Sequence, residues 1–191
     1  MISTQDIRPR IDVSVGATIA NWDYLTPILN TAGWVLDANG ASVTTATSSI
    51  LQIGLGGFPN QIITASLKFI TPTTAGNEEL GVMGRFLTNK SPDATYYYLR
   101  QISGQIRLVK VVDGTFTTLA SAAYALAQDT WADFTLTMNG SAIEGTIDDG
   151  STSVTLNATD SDIANGGFCV RSGPTNAATI SMRSFRVQEA A

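Results

Sequence analysis

From about Gly33 onward the chain breaks into short runs in which apolar and polar residues alternate, most of them closed by a turn. A period of two is the mark of strands with one buried face. The first runs are "GWVLD" (33–37), "SSILQIG" (48–54), "QIITASLKFI" (61–70), "ELGVMGRFL" (79–87), "TYYYLRQI" (95–102) and "GQIRLVKVVD" (104–113). "TFTTLASA" (115–122), "TWADFTLTMN" (130–139), "SAIEGTID" (141–148), "TSVTLN" (152–157), "GFCVRS" (167–172) and "ATISMRSFRV" (178–187) follow. Between them stand Ser103-Gly104, Asp113-Gly114, Asn139-Gly140 and Asp149-Gly150, residues that tolerate the positive φ of tight hairpin turns.

Alternation also assigns faces. In "TWADFTLTMN" it puts Phe134, Leu136 and Met138 toward a core and Asp133, Thr135 and Thr137 away from it. Tyr97 and Leu99 fall on the core side, as do Ile106 and Leu108, which leaves Tyr96, Tyr98 and Arg100 on the opposite face. A dozen strands exceed what one open sheet holds, so the expected fold is all-β, a two-sheet antiparallel β-sandwich or jelly roll. The one stretch with helical potential, "SAAYALAQD" (121–129), lies between strands and reads equally as a short turn or an extended link.

The first thirty residues are apolar but aperiodic. One reading is an irregular N-terminal arm or strap over residues 1–32, docking on a partner through Ile11, Val13, Trp22, Tyr24 and Leu29, ahead of a sandwich domain over 33–191. The other is a terminal strand that closes the sandwich.

From "GVMGRFL" onward the turns and strands carry a fixed series of motifs: Gly81 to Phe86, Tyr97 to Arg100, Lys110 to Gly114, Leu119 to Ser121 and Thr130-Trp131. Asn139-Gly140, Asp148 to Gly150, Thr159 to Ser161, Gly166 to Phe168 and Phe185 to Val187 continue it. In order and spacing this segment resembles the concanavalin A-like jelly rolls of the laminin-G-like and glucanase-like group. The resemblance implies that fold; the group includes lectins, adhesion modules, glycosidases and virion proteins, so function must come from the site. The opening "DIRPRIDVSVG" is similar to the start of many tailed-bacteriophage structural proteins, which implies a virion accessory role.

Composition narrows the chemistry. A chain of 191 residues fits one domain, and a net charge of -5 with only three lysines argues against a phosphate-tracking surface, hence against nucleic acid. The chain has no histidine, which removes histidine-activated nucleophiles and ordinary histidine zinc sites. Cys169, the single cysteine, is flanked by apolar residues and reads as a buried structural thiol. No run of 18 apolar residues and no secretory leader pattern appears, so the expectation is synthesis in a host cytoplasm without a membrane span.

Three acidic groups invite a catalytic reading. Glu144 and Asp148 share a strand face, but their Cα atoms should lie about 13 Å apart, while retaining glycosidases hold their carboxyls about 5 to 5.5 Å apart. Thr146 stands between them where the resemblance to glycosidases of this architecture implies an orienting acid, so Asp148, Asp149 and Gly150 read as a hairpin exit. Asp160 and Asp162 alternate like calcium ligands, but Ala164 breaks the register and no bidentate glutamate follows. A capped turn is the simpler reading, calcium stays open, and no metal or cofactor is assigned.

A glycan site would use Tyr96, Tyr98 and Arg100 with Arg85, aromatic platforms beside hydrogen-bonding forks. The competing reading has that face covered by a neighbouring subunit or loop. The leading expectation is a non-catalytic virion structural protein, a capsid decoration or fibre component, with virion proteins, further copies of itself and a host surface glycan as partners. The alternative is a carbohydrate-binding, lectin-like module, and a glycoside hydrolase ranks third.

Overall fold

Strands occupy most of what the computed structural model describes, residues 11–14, 29–30, 34–37, 40–45, 49–54, 59–70, 79–88, 94–173 and 178–190. In chain order β1 (Ile11–Ser14), β2 (Leu29–Asn30), β3 (Val35–Asp37), β4 (Gly40–Thr45) and β5 (Ser49–Gly54) come first. Next are β6 (Gln61–Phe69), β7 (Glu79–Thr88), β8 (Thr95–Ile102), β9 (Gln105–Val112) and β10 (Thr115–Ala123). β11 (Ala132–Asn139), β12 (Ala142–Asp148), β13 (Ser153–Thr159), β14 (Gly167–Ser172) and β15 (Ala178–Glu189) complete the set.

They form two sheets. One has eight strands, in the order β13-β12-β11-β6-β15-β4-β3, with β1 also paired to β15; the other has seven, in the order β10-β9-β8-β7-β14-β5-β2. Hairpins carry the meanders β7 to β10 and β11 to β13. Their turns are those the dipeptides demand: Ser103 and Gly104 take φ of 52° and 71°, Asp113 and Gly114 48° and 72°. The expected antiparallel sandwich is the fold observed.

The faces follow the alternation. Phe134, Leu136 and Met138 are buried with Tyr97, Leu99, Ile106 and Leu108 in one cluster between the sheets, closed by Phe168 and Phe185 with ring centroids 6.0 Å apart. Residues 121–129 resolve to the extended link: Ser121–Ala123 finish β10, and Tyr124 and Leu126 then turn inward. β4 had no alternation to announce it, since "GASVTT" offers little apolar contrast, yet it pairs with β15 and buries Ala41 and Val43.

Parts of the N-terminal segment lie in the sheets. β1 pairs with β15 in the register Ile11↔Val187 and Val13↔Phe185, and β2 pairs Leu29 with Gln52 of β5. Trp22 and Tyr24 lie outside the described residues.

Arg85 departs from the expected position. Its strand β7 carries a bulge: pairing to β8 shifts register between Gly84 and Thr88, and Arg85 itself takes φ of 45°. An extra residue reverses the parity of a strand. Met83 and Phe86 therefore both face outward, while Arg85 swings inside, its guanidinium carbon 5.8 Å from the centroid of the Tyr97 ring.

There Arg85 is 2% exposed and spends its donors on backbone carbonyls. Nη2 donates to Pro59 at 2.7 Å and Gly140 at 2.8 Å, Nη1 to Ile163 at 2.8 Å, and Nε to Pro59 at 3.0 Å. Those carbonyls belong to the segments that join β5 to β6, β11 to β12 and β13 to β14. Gln61 locks the bulge, its Oε1 accepting the Arg85 backbone N–H at 3.1 Å while its Nε2 donates to the Gly166 carbonyl at 2.7 Å. Gly166 packs so tightly that a Cβ there would lie 2.4 Å from the Arg85 carbonyl carbon.

Arg85→Leu should strand three buried carbonyls and lower the unfolding free energy by about 3 kcal/mol or more. Arg85→Lys should restore less than half of that, because an ammonium cannot fork to three segments. Urea unfolding of the three proteins checks both, and an Arg85→Leu midpoint equal to wild type would refute the clamp.

Candidate functional site

On the outer face of the seven-stranded sheet, Tyr96, Tyr98 and Arg100 point the same way, as alternation predicts, but both tyrosines are buried rather than open. A second apolar cluster of Ile50, Met83, Phe86, Tyr96, Tyr98, Val109, Val111 and Cys169 fills this face. Tyr96 stacks on Phe86 at 5.9 Å and meets Tyr98 edge-on at 6.4 Å. These rings pack against protein, so neither is a platform for a sugar. Alternation tells which residues share a face; it does not tell whether that face meets water. The burial arises within a single chain. Cys169 is buried here as expected, and burial pushes its thiol pKa well up.

Beside this cluster runs a row of arginines. Arg171 of β14 pairs with Gly81 of β7, Gly81 with Arg100 of β8, and Arg100 with Arg107 of β9. Gly81 puts no side chain between Arg171 and Arg100, and none can be built there, because a Cβ would lie 2.0 Å from the Leu99 carbonyl oxygen.

Glu79 serves both arginines. Its Oε1 accepts from Arg100 Nη1 at 3.0 Å and lies 3.8 Å from Arg171 Nε. The Tyr98 ring sits between them, with guanidinium carbons 5.8 Å (Arg100) and 5.5 Å (Arg171) from its centroid. Arg171 Nη1 also donates to Tyr96 Oη at 2.8 Å. Burial works to lower the Arg171 pKa, but Tyr98, Glu79 and Tyr96 outweigh it and raise it.

At the edge of the row Phe116 of β10 is 51% exposed, and the Arg100 guanidinium carbon lies 5.8 Å from its ring centroid. Arg107 is half-buried, and its Nε donates to Gln105 Oε1 at 2.9 Å. An exposed aromatic ring and guanidinium forks on rigid strands can stack on one face of a ligand and hydrogen-bond its edge.

The other candidate groups have structural occupations. Lys110 Nζ donates to Asp160 and Asp162, both at 2.5 Å, so the two carboxylates that alternate like calcium ligands share an ammonium. Among the described residues no group of three or more metal-ligating side chains occurs. Asp148 accepts from the Gly150 N–H at 2.8 Å, and Asp149 from the N–H groups of Ser151 at 2.9 Å and Thr152 at 2.7 Å. That is the hairpin exit the sequence describes, and the Ser151 hydroxyl together with these N–H groups holds the Asp149 pKa down at about 2. Glu144 is exposed on the outer face of the other sheet. Trp131 already carries two cations, Lys68 at 5.1 Å and Arg183 at 4.8 Å from its ring.

No family model and no curated protein matches the sequence. Solved structures do match the fold. The chain is similar to the carbohydrate binding module CBM66 from Bacillus subtilis (TM-score 0.70, 14% identity, covering 87% of this chain and 97% of that one). It is similar to a protein of unknown function with galectin-like fold from Bacillus subtilis (0.70, 10%, 95% and 96%) and to a legume lectin-like domain from Entamoeba histolytica (0.69, 14%, 95% and 97%). The fold is a lectin-like jelly roll. At such identities the likeness speaks for the fold alone.

Of the glycan-site residues expected from sequence, the structure keeps Arg100 at this row, buries Tyr96 and Tyr98 beneath it and removes Arg85 to the interior. Arg107, Arg171, Glu79 and Phe116 were missed. One strand, β7, separates Arg171 from Arg100 and about seventy residues of chain lie between them, but Gly81 in "ELGVMG" was a signal, a strand position with no side chain between neighbours.

Tyr97 ties β8 to the segment joining β13 to β14, donating its hydroxyl to Asp160 at 2.5 Å. Burial and that bond push its pKa up to about 12. An unfolded tyrosine ionises near 10, so this part of the stability is complete below pH 10 and is lost as pH rises from 10 to 12. Tyr97→Phe should flatten the fall in stability over that window without abolishing it, since Tyr96, Tyr98 and Tyr124 are raised as well. Urea unfolding at pH 9 and pH 11.5 measures the difference.

Proposed function

We propose that this protein is a non-catalytic carbohydrate-binding module of lectin type, taking its ligand on the outer face of the seven-stranded sheet beside Phe116, Arg100 and Arg107. The observation that carries the reading is the pairing of a half-exposed aromatic ring with an arginine row at the edge of a sheet whose inner strands β7, β8 and β9 are packed on both faces. Sugars present apolar C–H faces and polar edges, and this combination meets both. The fold likeness to a carbohydrate binding module and to a legume lectin-like domain supports the same reading.

Hydrolysis fits poorly. Glycosidases need two carboxyls flanking the scissile bond, and the strands of this sheet supply one acid, Glu79, already held between two arginines.

A virion location, as a capsid decoration or fibre component made in a host cytoplasm, is a compatible second proposal resting on the opening "DIRPRIDVSVG". In that proposal, attachment to other virion proteins or to further copies runs through Ile11, Val13, Trp22, Tyr24 and Leu29. Particle assembly with a chain lacking residues 1–30 tests that proposal, and full occupancy would refute it.

A glycan array with the wild-type protein should give binding, and Phe116→Ala should weaken it at least tenfold, about 1.4 kcal/mol. The thermal midpoint should stay close to wild type because the ring is exposed. Silence across the array, or equal binding by Phe116→Ala, would overturn the reading.

A further inference from the structure

Arginine 85 shows how a buried guanidinium looks when its task is structural: all three of its nitrogens are hydrogen-bonded to backbone carbonyls. Arg100 and Arg171 look different. The Nε of each is buried and makes no hydrogen bond, and the Tyr98 hydroxyl beside them is buried and equally without a partner. A buried donor left unmade is costly, and native proteins keep few of them. Here three occur together, around one tyrosine ring.

Charge follows the same line. The outer row holds Arg171, Arg100 and Arg107, and Glu79 is the only carboxylate on any strand of this sheet. One carboxylate is shared by two guanidinium groups, and both remain in reach of solvent, with side chains 13% (Arg100) and 16% (Arg171) exposed. A cluster with unspent donors and surplus positive charge is complementary to an anion, and a planar carboxylate matches the guanidinium fork.

We infer that the ligand is an acidic saccharide whose carboxylate is received by the Arg171–Arg100–Arg107 row, with Phe116 stacking on the sugar ring beside it. This rests on the carbohydrate-binding reading and names the class of sugar. A uronic acid and a sialic acid offer the same carboxylate chemistry, and the arms of the test separate them.

Calorimetric titration of the full chain would compare polygalacturonate with its fully methyl-esterified form, and 3′-sialyllactose with its methyl ester. In one pair or the other the acid should bind at least tenfold more tightly than its neutral partner. Arg171→Gln and Arg107→Gln should each reduce that ratio to less than threefold. Arg107 is half-buried and outside the Glu79 cluster, so its variant carries the test if Arg171→Gln does not fold. Equal binding of acid and neutral forms would overturn the charge inference and leave the lectin reading standing. Preference retained in both variants would place the carboxylate elsewhere and also overturn it. No binding to any of these or to an array of neutral glycans would overturn both readings.

Discussion

One buried cation holds the end of this sandwich together. The Arg85 guanidinium joins Pro59, Gly140 and Ile163, three carbonyls from segments distant in sequence, and among the described residues no carboxylate pairs with it. Its charge is balanced by carbonyl dipoles and the face of the Tyr97 ring. Such a site tolerates little movement, because each carbonyl that withdraws leaves charge less solvated in a medium where that is expensive. The bulge in β7 is the geometric condition for it, since only the extra residue brings Arg85 to the inner side. The same bulge returns Phe86 to the outer face, where it stacks on Tyr96. The interior clamp and the outer apolar cluster therefore share one backbone irregularity.

That linkage explains why the seven-stranded sheet is rigid enough to present a row of long side chains. Its inner strands are packed on both faces, so Tyr96 and Tyr98 are held by the surrounding side chains, and the Tyr98 ring in turn flanks the guanidinium groups of Arg100 and Arg171. Arginines on an open sheet lose much of their binding energy to ordering entropy. Here the ordering is done by Glu79 and Tyr98 before any ligand arrives.

Much of this was legible in the sequence, and the remainder was hidden for definable reasons. Strands, hairpin turns and the core face of each strand follow from period two and from dipeptides such as Asp113-Gly114, because these depend on local sterics and the pleat. The bulge was invisible, since nothing in "GVMGRFL" marks where the strand gains a residue, and one added residue inverted the expected position of Arg85. Burial of Tyr96 and Tyr98 was invisible too: Val109 and Val111 face the same way, but an apolar second face is recognisable only once registers are known. The partnership of Arg171, Gly81 and Arg100 needed the sheet order β14-β7-β8, in which the last strand but one inserts beside a much earlier hairpin. Sequence patterns carry local information well and strand order poorly.

The distribution of charge between the sheets resolves an apparent conflict. By net charge alone, a chain at -5 is a poor receptor for an anion. Yet the strands of the seven-stranded sheet hold Arg85, Arg100, Arg107, Lys110 and Arg171 against Glu79 alone, while those of the other hold Asp12, Asp37, Asp133, Glu144, Asp148 and Glu189 against Lys68, Arg183 and Arg186. The outer face of that second sheet is otherwise hydroxylic, with Thr155, Thr146, Thr135 and Thr64 in one cross-strand row. At about 0.1 M salt the Debye length is about 10 Å, so acids across the thickness of a sandwich, where stacked sheets pack about 10 Å apart, are largely screened from a ligand on the far side. Partly buried charges on the near side are screened much less. The local excess of arginine, and not the net charge of the molecule, is therefore the field that an arriving carboxylate meets.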